Sequence, residues 1–215
     1  MKGRITLFSR KTGKNKTKGQ SLVELALTLP LLLLLLSGLV EFGFMLNYYL
    51  SLVDGSREVA RLFSNFDPIE ENSFYGSAVD QVRVVLEPKD VNDTSRKIHF
   101  QNDSDHPDDI IISVYSVSGG TATLLPVDPG HEKYVGNPNP YHWSNNQVSR
   151  LDATEVTSRL VGSAPDSGVL TVEIFYHYDQ VLNLPWLEAL PDPFLLYAYT
   201  VMPLSSAEPT PTPIP

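Results

Sequence analysis

Three groups of residues in this 215-residue chain carry side chains suited to chemistry. The densest is Asn102-Asp103-Ser104-Asp105-His106-Pro107-Asp108-Asp109, four carboxylates in an oxygen-rich loop of the kind that binds calcium. Counted from Asp103, an EF-hand loop needs glycine sixth and glutamate twelfth, and the chain has Asp108 and Val114 there. A solvated acidic loop is the plainer reading. The second group is the five histidines, His99, His106, His131, His142 and His177. They show no HExxH spacing, and His131-Glu132 runs on into Lys133-Tyr134-Val135. The sequence contains no P-loop, no G-x-G-x-x-G fingerprint and no G-x-S-x-G elbow. The expectation is a protein that is not an enzyme, with no catalytic residue, cofactor or metal. The third group is a pair of acids, Glu24 and Glu41, inside an otherwise apolar stretch. An ionised carboxylate in a membrane span costs about 2.5–3.5 kcal/mol at the helix centre and less toward an end, so it calls for a partner.

The element that must position both acids is a long helix. Leu22 to Val40 is apolar except for Glu24, Thr28 and Ser37, and beyond Glu41 the character continues through Phe42, Phe44, Met45, Leu46, Tyr48, Tyr49, Leu50 and Leu52. A bilayer core needs about 20 helical residues. Residues 22–50 would extend about 42 Å at ~1.5 Å per residue, so the helix should leave the membrane and enter a soluble domain. A cleaved secretory signal would be shorter, with an A-x-A-like site after it. Here helix-compatible sequence follows instead, with Asp54, Arg57 and Arg61 on one face and Met45, Leu52, Val59, Ala60 and Phe63 on the others. Pro30 is expected to kink or loosen this helix, and Gly55 to weaken it by about 1 kcal/mol relative to alanine.

Charge sets the orientation. Lys2, Arg4, Arg10, Lys11, Lys14, Lys16 and Lys18 stand in the first eighteen residues without an acid. The remainder holds nine of the sixteen basic side chains against all twenty-five acidic ones, a formal charge of −16. Such a remainder repels nucleic acid. A basic arm before an apolar helix stays in the cytoplasm, which would leave the C-terminal part extracytoplasmic. With no cysteine, disulfides and thiolate metal sites are excluded.

At the junction of arm and helix stands Lys18-Gly19-Gln20-Ser21-Leu22-Val23-Glu24. This run resembles the prepilin peptidase site of type IV pilin-like proteins. The resemblance implies cleavage between Gly19 and Gln20, methylation of the new amino group on Gln20, and pairing of Glu24 with a neighbouring subunit's amino terminus during assembly. More specifically, GQSLVELALTLPLLLLLLSGLVEFG followed by Ser56-Arg57-Glu58-Val59-Ala60-Arg61 is similar to the TadE-like minor pseudopilins of the tight-adherence (Tad) pilus system. Glu41, Phe42 and Gly43 belong to that specific likeness and are candidate helix contacts. The partners implied are the lipid bilayer, a prepilin peptidase, other pilin or pseudopilin subunits and the pilus assembly platform. The alternative is an uncleaved, single-pass anchor bearing an extracytoplasmic binding module.

The expected organisation is a basic leader over 1–19, a long helix over 20–64, an α+β domain over 65–204 and a proline-rich tail over 205–215. Strands are expected at Ala78–Leu86, Ile98–Gln101, Ile110–Val117, Ala122–Val127, Val169–Tyr178 and Phe194–Met202, with a hairpin at Ser118-Gly119-Gly120-Thr121. The last two strands should pair. A helix is expected over Gln147–Val161, and a turn capping the sheet at Leu184-Pro185-Trp186-Leu187. Asn137-Pro138-Asn139-Pro140-Tyr141-His142-Trp143 reads as a surface loop packed by its own aromatics. The fold class is therefore α+β, a long N-terminal transmembrane helix laid against an antiparallel sheet.

Overall fold

The computed structural model describes residues 17–68, 73–90, 98–125, 140–160, 166–186 and 191–204. The leader up to residue 16, His131, Asn137 to Asn139, Leu187 and the tail 205–215 lie outside them.

Helix α1, Thr17–Phe63, runs unbroken through Pro30. The helix α2, Phe74–Leu86, replaces the strand expected at Ala78–Leu86. Its valines suggested β structure, but Phe74, Tyr75, Ala78, Val79, Val82 and Leu86 are the buried set, and their spacing is helical. The strands are β1 (Asp109–Ser118), β2 (Thr121–Leu124), β3 (Tyr141–His142), β4 (Ser167–Tyr178) and β5 (Phe194–Pro203). Val161 lies outside the described residues, and of the helix expected over Gln147–Val161 they form a short helix α3, Ala153–Arg159. Asp152 sets its start, its side chain accepting a hydrogen bond from the Glu155 N–H. Ile98–Gln101 is not a strand; the nearest pairing is an isolated bridge between Asn102 and Pro107.

The sheet is antiparallel in the order β2-β1-β4-β5, with β3 also paired to β1. Gly119 and Gly120 make the β1–β2 turn at φ 56° and 77°, a region that glycine enters without strain. Strand alternation gives the sheet two buried faces. On one, α1 lies over β4 and β5 with α2 beside it, closing a core of Leu52, Val59, Phe63, Ile112, Val172 and Ile174 among others. On the other, Tyr115, Val117 and Val169 pack with Leu151 and Val156 of the 140–160 segment. Tyr141 stacks on Tyr75, and Trp143 meets Phe100 edge-on, so the aromatics of that segment turn inward. The fold is α+β, as expected.

Gly55 has a packing role that its sequence context did not reveal. A Cβ there would stand 2.7 Å from Leu86 Cδ2, so the bare backbone admits the end of α2.

Candidate functional site

The motif residues stand at the free end of α1. Gly19 and Gln20 lie in its first turns, and a Cβ on Gly19 would meet nothing within 4 Å. Glu24 is exposed and accepts a hydrogen bond from Gln20 Nε2 at 3.2 Å. From Gly19 to Leu36 every residue is exposed, so none of the described residues of the domain covers this segment. It is about 27 Å long at ~1.5 Å per residue, close to the ~30 Å of a bilayer's hydrocarbon core. Its parent helix is, among the described residues, the one long and apolar enough to cross a membrane.

Glu41 is placed differently. It is 5 % exposed, held in the connection that leads from β4 towards β5. Its Oε1 accepts from the Tyr178 hydroxyl at 2.6 Å and the Val181 N–H at 2.9 Å. Its Oε2 accepts from the Leu182 N–H at 2.9 Å. One turn earlier, Trp186 Nε1 donates to Ser37 Oγ at 2.8 Å. Burial of an acid is tolerated here because donors surround both oxygens. The partner that the sequence called for is thus the chain itself, and the turn at Pro185-Trp186 grips α1 rather than capping the sheet. Ser37, Tyr178, Val181, Leu182 and Trp186 carried no sequence signal of this, since the Glu41–Tyr178 contact spans 137 positions.

Phe42 and Gly43 lie beside this neck without cover; Phe42 is exposed, and a Cβ on Gly43 would meet nothing within 4 Å. Leu39, Phe42, Leu46, Tyr49 and Leu50 continue an exposed apolar stripe up the outer side of α1. Residues at three- and four-residue spacing face one way on a helix, so the stripe is a surface another helix can pack on.

The family comparison falls on this same element. Residues 19–61 match the TadE-like protein family. The match is consistent with a TadE-like protein of the Tad pilus system, and it begins at Gly19 and ends within the last turn of α1. No curated protein and no solved structure matches the chain. The TadE-like segment is therefore the helix alone, and the sheet domain that holds it lies outside the match.

The acidic loop and three of the histidines, His106, His142 and His177, serve the domain's architecture. Asp108 Oδ1 accepts from the His177 N–H at 2.7 Å and contacts His177 Nδ1 at 2.9 Å, while its Oδ2 accepts from the Gln101 N–H at 3.0 Å. Burial nevertheless holds the Asp108 carboxyl above the ordinary carboxylate range. Asp109 contacts His142 Nδ1 at 2.8 Å and accepts from the Ser144 and Gln147 N–H groups. Burial opposes its ionisation too, but those hydrogen bonds outweigh it and the carboxyl lies below its usual value. Asp103 folds back on its own turn, accepting from the N–H groups of Asp105 and His106. Among the described residues no group of three or more His, Asp or Glu side chains is gathered as a metal would need. A groove of about 730 Å³ lies between β2, α3 and the 145–149 segment, lined by Leu124, His142, Val148 and Ala153 among others.

Proposed function

We propose that the chain is a minor pseudopilin of a Tad-type, type IV pilus-like system, matured by a prepilin peptidase that cuts between Gly19 and Gln20. The observation that carries the reading is the 19–36 segment: apolar, exposed along its whole length, and headed by the Gly19-to-Glu24 motif inside the family match. An apolar surface of that length belongs in a bilayer or against other helices. In this reading the basic arm faces the cytoplasm and is removed, while the helix stays in the membrane with the sheet domain outside. Glu24 then has a role that the isolated chain does not give it, pairing with the amino terminus of a neighbouring subunit. Leu39, Phe42, Leu46 and Tyr49 supply the packing surface that continues above the bilayer. The protein acts as a structural subunit that meets other pilins and the assembly platform, and performs no catalysis of its own.

The test is the N-terminal mass of the membrane-extracted chain, expressed with and without an active cognate prepilin peptidase. A mature chain beginning at Gln20 supports the reading, and an intact basic arm beside the active peptidase overturns it. Gly19→Ala should block the cut while leaving the fold unchanged, because a Cβ at that position meets nothing.

A further inference from the structure

The connection over residues 180–186 does more than hold Glu41. Its backbone is tied to α1 at one level: the Val181 and Leu182 N–H groups bond Glu41, and the Trp186 indole bonds Ser37. That level is the upper end of the exposed 19–36 segment, whose length of about 27 Å matches most of a ~30 Å hydrocarbon core. A helix filling the bilayer with residues 19–36 would bring this connection down to the membrane surface.

The side chains there suit such a surface. Val181 is 51 % exposed and Trp186 is 47 % exposed, with Pro185 exposed between them. The indole N–H is already bonded to Ser37, which leaves the ring's apolar body as the outward part. Tryptophan with a satisfied polar end and an apolar body concentrates at the interface between headgroups and acyl chains. Residues 180–186, Gln-Val-Leu-Asn-Leu-Pro-Trp, carry no charged side chain. Among the described residues the acids on either side are engaged, Asp179 with His106 at 2.8 Å and Asp192 accepting from the Gln180 N–H at 3.1 Å, and Glu188 follows two residues after Trp186. No lysine or arginine lies between Tyr178 and Phe194, so attraction to anionic lipid has no source here.

We propose that the 180–186 connection is a membrane seat, with Trp186 and Val181 entering the lipid interface and fixing the height of the sheet domain above the bilayer. The proposal rests on the reading of α1 as membrane-spanning and adds a second, surface contact with the lipid. It differs from helix packing, which uses the stripe from Leu39 to Leu50.

The experiment reconstitutes the full chain in phosphatidylcholine vesicles and follows tryptophan emission. The chain has two tryptophans, so Trp143→Phe isolates Trp186, and Trp186→Phe gives the same share by difference if the first variant folds poorly. Lipid brominated near the headgroup should lower the Trp186 emission roughly twofold, as for an interfacial residue, and more than lipid brominated at the chain end. Trp143, packed on Phe100, should be unaffected. Replacing part of the neutral lipid with anionic lipid should change nothing. Full emission in brominated lipid with ready quenching by iodide, in a chain that resists alkaline extraction, would overturn the seat while leaving the span intact. So would protection from both quenchers, which would assign Trp186 to a protein neighbour. A chain that washes off the vesicles would instead overturn the spanning reading, and the seat with it.

Discussion

Glu24 and Glu41 stand on one unbroken helix, the first exposed with Gln20 as its hydrogen-bond partner, the second buried under three donors, one from the end of β4 and two from the connection after it. The same difference separates the two halves of α1. Residues 19–36 have no cover among the described residues, whereas from Ser37 onward one side of the helix joins the domain core through Leu52, Val59, Ala60 and Phe63. The lower half is left open by the described part of the chain, and one side of the upper half is packed on the chain's own sheet. An acid in an apolar helix therefore has no fixed meaning. Glu41 is explained by the fold, whereas Glu24 has Gln20 as its hydrogen-bond partner among the described residues and takes an assembly role only in the function proposed above.

The sharpest way to break this contrast is to remove each acid in turn. Glu41→Leu should destabilise the chain by about 2–4 kcal/mol, since the Tyr178 hydroxyl and two N–H groups lose their acceptor. Glu24→Leu should change the stability of the isolated chain by no more than about 0.5 kcal/mol. Denaturant unfolding in detergent checks both, and equal costs would erase the distinction between the halves. Tyr178→Phe should fall between them, at about 1–2 kcal/mol, because it deletes one donor to a charged acceptor and leaves the two backbone bonds.

A smaller effect concerns the turn that abuts the neck. His106 sits 2.8 Å from Asp179, one residue beyond Tyr178, and 3.5 Å from Asp103. The hydrogen bond that the His106 ring donates to Asp179 raises the His106 pKa above its ordinary value, with burial opposing. A histidine whose folded pKa is raised stabilises the fold fully below its unfolded pKa of about 6.5, and loses that contribution as pH rises through the folded value. His106→Gln should flatten the stability profile in that window, by about 0.5 kcal/mol or less for so accessible a pair. A profile of unchanged slope would show that this pair does not hold the neck.

The two glycines should give effects of opposite sign. Gly43→Ala, where a Cβ meets nothing, should gain up to about 1 kcal/mol of helix stability. Gly55→Ala should lose that gain and be net destabilising by about 1 kcal/mol, because Leu86 must move. Matching thermal shifts for the two would argue that α2 does not press on α1.

Much of this architecture was legible in the sequence. The long helix, the hairpin at Gly119-Gly120 and the β4–β5 pair followed from apolar length, turn chemistry and β-branched runs. The reading failed where local composition and tertiary role diverge. The valines of Phe74–Leu86 favour a strand locally, yet burial against α1 and β1 selects the helix. Within Gln147–Val161 the backbone bends instead to fill Asp109 and Glu173, which accept from the N–H groups of Gln147 and Arg150. Buried acids reorganise a loop through contacts that no local pattern encodes.

The sequence by itself determined that the chain carries an apolar helix of bilayer length with a basic start, a glycine-to-glutamate motif at its head and an acidic domain behind it. Those are properties of consecutive residues, and hydropathy, charge and spacing read them directly. Only the tertiary structure decided which acid is spoken for, why Gly55 is glycine, and that Trp186 meets the helix at Ser37. Each of these depends on residues far apart in the chain brought within a few ångströms, and hydrogen bonding and packing act on that distance alone.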